Sequence, residues 1–112
     1  MKALTPQKHI EQALEDLREI LEELSEPLGI EHRIWDDDVY SSVYYTRLKG
    51  RIALIGTKEE GDRKKRETYM VYEEDPHLLH FLEVFLKYVR AYKYLQKAYR
   101  ALDFSEYEGG AW

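Results

Sequence analysis

Apolar side chains return at Ile10, Ala13, Leu14, Leu17, Ile20, Leu21 and Leu24, the three-and-four spacing of an α-helix with one buried face. Glu11, Glu15, Glu19, Glu22 and Glu26 fall on the other face. Thr5-Pro6 supplies a hydroxyl cap and a proline at the first helical position, and Pro27 with Gly29 closes the run, so the pattern predicts a helix over 5–26. The period then changes. IEHRIW (30–35) sets Ile30 and Ile34 around His32 and predicts a first strand. VYSSVYYTRL (39–48) is β-branched and aromatic and predicts a second. Lys49-Gly50 is a tight reversal, RIALIGT (51–57) a third and more buried strand, KEEGDRKK (58–65) a charged loop, and RETYMVYEE (66–74) a fourth strand. Asp75-Pro76 repeats the cap-plus-proline signal and opens a helix to about Leu102, with 103–112 as a tail. The expectation is one α+β domain over 1–112. It has a four-stranded antiparallel meander over 30–74, flanked by an N-terminal and a C-terminal helix in the order α-β-β-β-β-α.

The last helix carries two patterns. Phe81, Val84, Phe85, Tyr88, Tyr92, Leu95, Tyr99 and Leu102 share a face, while Arg90, Lys93, Lys97 and Arg100 lie opposite, with Tyr94 near the cations. Most of the tyrosines of YVRAYKYLQKAYR therefore point away from the basic side, which weakens a base-stacking reading. In the first half of the helix, Leu79, Leu82, Leu86 and Val89 form a seam of their own. Burying each such side chain is worth about 1.5–3 kcal/mol, so the seam needs a cover. Either the first helix covers it, or a second copy does in a twofold homodimer, which is the favoured expectation.

Composition narrows the function classes. The chain has 112 residues and no cysteine, which excludes a disulfide scaffold, thiol catalysis and thiolate-zinc sites and fits a reducing, cytoplasmic setting. No run of apolar residues approaches a membrane span, and no secretory leader is visible. Asparagine is absent and Glu, Lys and Arg abound, a thermophile-like composition. The net charge of −5 speaks against a nonspecific nucleic-acid coat. Charge is segregated: −6 over residues 1–48, +4 over 49–100 and −3 in the tail, a distribution suited to pairing within or between subunits.

Candidate chemistry is sparse. His77 and His80 form an H-x-x-H pair to which His32, Glu73 or Glu74 would have to add a ligand, so no metal site is assigned. Asp36-Asp37-Asp38 lacks the spacing of a calcium loop and reads as a turn. Ser41 and Ser42 lie in no nucleophile elbow, and no phosphate loop is present. No catalytic residue and no cofactor are assigned. Ten tyrosines instead suggest recognition, with Trp35, Tyr40, Tyr44, Tyr45, Tyr69 and Tyr72 lining a ligand or partner face. A second reading is nucleic-acid binding by a basic patch of Lys58, Arg63, Lys64, Lys65 and Arg66 together with Arg90, Lys93, Lys97 and Arg100.

GIEHRIW, then VYYTRLKGRIALIGT, then ETYMVYEEDPHLLHFLEVFLKYV resembles the effector-sensing domain of archaeal TrmB-type and related transcription regulators, over roughly residues 10–92. In that family a helix leads into a Gly-Ile/Val-x-x-Arg strand, a hairpin follows, and the last strand runs into an Asp-Pro-opened helix. The family also has an N-terminal winged helix for DNA, which this chain departs from. The resemblance implies a stand-alone sensing or dimerisation module associated with a regulator, and no binding residue carries over. The expectation is thus a non-enzymatic, homodimeric, ligand- or protein-binding module.

Overall fold

A computed structural model describes residues 6–36 and 40–110, with side chains to residue 102. The elements are α1 (Pro6–Leu28), α2 (Arg33–Asp36), β1 (Ser42–Leu48), β2 (Arg51–Glu60), β3 (Arg63–Glu73) and α3 (Pro76–Gly110). The sheet has three antiparallel strands in the order β1-β2-β3, and α1 and α3 pack together on one of its faces.

The four-stranded expectation is therefore wrong by one strand, and the cause lies at the end of α1. Gly29 takes a positive φ of 66° and donates its N–H to Glu26 O, while Ile30 N–H reaches back to Ser25 O. Those two bonds form a Schellman C-cap and commit Ile30 to ending the helix. Residues 33–36 then wind into the single turn of α2, with Asp36 N–H on His32 O at 2.8 Å. Ile30 and Ile34 are four apart, which suits a helical turn as well as a strand. The deciding residue is Trp35: it and its neighbour Ile34 are both fully buried, whereas adjacent strand residues would face opposite ways.

The second hairpin is longer than the pattern predicts, while β1 begins at Ser42 and not at residue 39. Residues 58–65, expected as a loop, are paired strand except for a two-residue turn at Gly61-Asp62. Glu59 lies opposite Lys64 and Glu60 opposite Arg63 in the ladder, cross-strand positions at which opposite charges favour pairing, while Lys58 lies opposite Lys65. The β1–β2 turn has positive φ at both Lys49 and Gly50, as a type I′ hairpin requires. A bulge opposite Leu54/Ile55 leaves Tyr69 as the extra residue of β3.

At α3 the expected cap is present. Asp75 Oδ1 accepts the N–H of His77 at 2.8 Å and of Leu78 at 3.3 Å, with Pro76 at the first helical position. The helix runs beyond Leu102 through the expected tail to Gly110. At the other end of the chain the predicted Thr5 cap lies outside the described residues, as do Asp37 and Asp38 of the aspartate turn.

The core sits between the helices and the inner face of the sheet, where Ile52 and Leu54 of β2 meet Leu21 of α1 and Leu82 and Phe85 of α3. Trp35 stands edge-on to Tyr92 at 5.6 Å and joins α2 to α3. The other face of the sheet is covered by no described element: Leu48 is 67 % and Val71 51 % exposed. Among the described residues, no helix is long and apolar enough to cross a membrane.

Candidate functional site

The seam of α3 is filled from within the chain. Leu82 is fully buried, Leu86 and Val89 are buried, and Leu79 is half-buried against the same core. Leu82, Leu86 and Val89 thus belong to the core of a single molecule, while Leu79 keeps part of its surface.

The six aromatic residues expected on one recognition face are dispersed. Trp35 is core, with its indole N–H on Ser25 Oγ at 2.9 Å. Tyr40 is buried over Gly56, and its hydroxyl reaches Glu67 at 3.1 Å. Burial, with that carboxylate second, holds the Tyr40 phenol above its ordinary pKa. Tyr69 stands edge-on to Tyr40 and accepts the N–H of Glu31, and Tyr72 donates to Leu28 O at 2.8 Å. These rings lock the end of α1 to the sheet. Only Tyr44 and Tyr45 line an open hollow along β1.

That hollow is a groove between the free edge of β1 and the flank of α3. At one end Val43, Tyr44 and Tyr45 face Glu83, Leu86, Lys87 and Arg90. At the other, Ser41, Ser42 and Tyr44 face Arg90, Lys93, Tyr94 and Lys97 around about 360 Å³ of space. The chain runs up α3 as it runs down β1. Tyr45 ties the walls together through its hydroxyl on Glu83 at 2.8 Å, and that hydrogen bond, helped by burial, raises the Tyr45 pKa. Lys93 Nζ donates to Tyr40 O at 2.8 Å and fixes the entry to β1 on the helix.

The structure also redistributes the basic patch. Arg90, Lys93 and Lys97 line the groove, and Lys97 lies 6.0 Å from the ring of Tyr94. Lys64 and Arg66 approach Ser42 and Tyr44 from the outer face of the sheet. The two halves of the predicted patch therefore meet around Ser42 and Tyr44. Lys58 does not join them. It pairs with Glu67 at 3.2 Å beneath the Tyr40 ring, and this pairing lowers the Glu67 pKa. Arg63 and Lys65 are exposed on the extended hairpin, and Arg100 lies past the groove with Gln96 and Glu59. Helical-wheel reasoning missed this convergence because a wheel treats α3 alone, while the groove is made by a strand beside it.

The two edges of the sheet differ in kind. Exposed edges invite pairing with foreign strands, and proteins blunt them with bulges, lysines or a cover. β3 is blunted: it carries the bulge at Tyr69 and the run Arg63-Lys64-Lys65-Arg66. β1, SVYYTRL, has regular pairing over its whole length, no proline and one charge, Arg47, which pairs with Glu74. Among the described residues no backbone–backbone hydrogen bond reaches its outer edge. As for metal chemistry, no three His, Asp or Glu side chains among the described residues come together to hold an ion, so His77 and His80 stay an isolated pair.

No protein-family model, no curated protein and no solved structure matches this chain. The likeness to the TrmB-type sensing domain thus rests on the quoted segments alone.

Proposed function

We propose that this chain is a protein-association module that receives an extended strand from another polypeptide on the edge of β1, with α3 as the outer wall of the slot, and that it is not a catalyst. The observation that supports it is the contrast between a guarded β3 edge and a bare, apolar β1 edge set in a groove. Strand addition takes its affinity from backbone hydrogen bonds and its selectivity from the side-chain hollows alongside. Here Arg90, Lys93 and Lys97 favour carboxylates at the Ser42 end of the incoming strand, and Tyr44 and Tyr94 offer rigid aromatic area. A stand-alone sensing or dimerisation module, as the family resemblance implies, would work through such contacts.

The test is amide-resolved NMR with two synthetic peptides of alternating valine, one with glutamates and one with lysines between. The acidic peptide shifts the amides of Ser42–Leu48 and binds more tightly than the basic one. Shifts confined to other parts of the molecule, or none with either peptide, reject the reading.

A second reading keeps support from one observation: Tyr44 and Tyr94 share a hollow with three cations, the combination that single-stranded nucleic acid uses. Anisotropy of a labelled mixed-sequence oligonucleotide decides it. Binding that falls steeply with salt supports nucleic acid, and retention no better than that of an acidic polypeptide removes it.

A further inference from the structure

The groove has a self-complementary pattern, and from it we infer that the strand received on β1 is β1 of a second copy, forming a twofold dimer with a continuous six-stranded sheet. The inference rests on the reading of β1 as a receiving edge and names its partner.

Its first support is the alignment of the walls. Tyr44 and Tyr45, near the middle of β1, lie beside Glu83, Leu86, Lys87 and Arg90 of α3. A twofold axis through the middle of an antiparallel β1–β1 pair therefore passes beside Leu86 and Lys87. The two α3 helices then run antiparallel past each other near that axis. Positions equidistant from it meet across the interface, which sets Glu83 of each copy against Arg90 of the other.

Charge agrees with this register. Along the groove face, α3 reads Glu83, Lys87, Arg90, Lys93 and Lys97, acidic before the axis and basic after it, with Lys87 beside the axis itself. Glu74 and Asp75 lie immediately before the start of the same helix. An antiparallel partner brings the acidic beginning of one α3 to the basic second half of the other, where parallel packing would oppose like charges. Among the described residues Lys87 and Arg90 form no ion pair within their own chain, and Glu83 is engaged only by the Tyr45 hydroxyl. One turn further out, Tyr94, 63 % exposed, comes opposite the half-buried Leu79. Leu79, left incompletely covered by its own chain, gains an apolar neighbour.

The size of the surface sets the kind of dimer. A strip ~25 Å long and two elements wide, roughly 15 Å, covers about 400 Å² per partner, below the roughly 600 Å² per partner of stable interfaces and in the range of weak, transient ones. The dimer is thus reversible and its population depends on concentration.

The experiment is sedimentation equilibrium on the full chain, its Glu83→Arg and Arg90→Glu variants, and their equimolar mixture, with circular dichroism as a check on folding. Wild type moves from monomer to dimer mass with concentration. Each variant sets like charges against each other at both symmetric contacts and weakens the dimer at least about tenfold. Mixing restores it, because one chain then carries arginine at both positions and the other carries glutamate at both, so each contact across the interface again joins opposite charges. The recovered species is a one-to-one heterodimer. A wild type that stays monomeric to roughly millimolar, variants that dimerise as well as wild type, or a mixture that gives no heterodimer each overturns the inference. The peptide titration separates it from its foundation. A monomeric chain that still takes up the acidic peptide at β1 keeps the receiving edge and loses the second copy, while failure of both removes the edge itself.

Discussion

The indole N–H of Trp35 donates to the hydroxyl of Ser25 at 2.9 Å, and that hydroxyl donates to the carbonyl of Leu21 one turn earlier at 2.6 Å. Both side chains are buried, and the relay is what allows a serine and an indole to share the core where α1 meets α2. It also explains why IEHRIW turns inward after the C-cap: Trp35 finds its only polar partner among the described residues on the helix it has just left.

Removing the hydroxyl strands a buried donor. Ser25→Ala is expected to lower stability by about 1–3 kcal/mol in urea unfolding, the cost of an unsatisfied indole N–H. Trp35→Phe on that background should cost less than on wild type, since the orphaned donor leaves with the indole. A Ser25→Ala cost within experimental error would show that the relay carries no energy.

The burial of the α3 seam makes an opposite pair of predictions for Leu82 and Leu79. Leu82→Ala opens a cavity and should cost about 2–5 kcal/mol, while Leu79→Ala, only half-buried, should cost clearly less. In calorimetry the gap appears as two separated melting temperatures. Equal losses at the two positions would place them in similar surroundings, against the packing described here.

Gly56 is needed for its lack of a side chain. A Cβ there would run into the ring of Tyr40, which packs against the strand and is held by Glu67 at its hydroxyl. Gly56→Ala is expected to cost about 1–3 kcal/mol, as overpacking does. A smaller residue at position 40 should relieve it, so Gly56→Ala and Tyr40→Leu are non-additive in a double-mutant cycle. Strict additivity would mean that the two positions do not touch in solution.

How far the sequence reveals this molecule depends on whether a signal is local. The two long helices, the Asp75-Pro76 cap and the Lys49-Gly50 hairpin were legible because each depends on residues close together in the chain. IEHRIW misleads because a spacing of four between Ile30 and Ile34 fits both periods, and only the burial of Trp35 beside Ile34 separates them. The loop at 58–65 misleads because its charges look solvated one at a time. In the ladder Glu59 lies opposite Lys64 and Glu60 opposite Arg63, a complementarity that is invisible until the strands are paired. The groove was least legible, since Tyr44 on β1 and Arg90 on α3 come together only through the tertiary fold.

Alkaline pH provides the last prediction, because this core is rich in phenols. Burial, with Tyr69 nearby, pushes the Tyr72 pKa up to about 12 from an ordinary 10.0. Burial also raises Tyr92, where Asp36 adds to the shift and Arg18 opposes it. Below the unfolded-state pKa both folded and unfolded chains hold these protons, and the stability they support is fully present. As pH rises past 10.0 the unfolded chain releases the Tyr72 proton while the folded one keeps it, so unfolding gains about 1.4 kcal/mol per unit until the folded pKa is passed. Stability should therefore fall steeply between pH 10.0 and about 12. Tyr72→Phe loses the bond to Leu28 O and starts lower at neutral pH, but it should decline less steeply across that window. Urea midpoints taken through the window for both proteins test this, with phenolate absorbance as a second readout. If the two slopes coincide, the Tyr72 proton is no more tightly held in the folded chain than in the unfolded one.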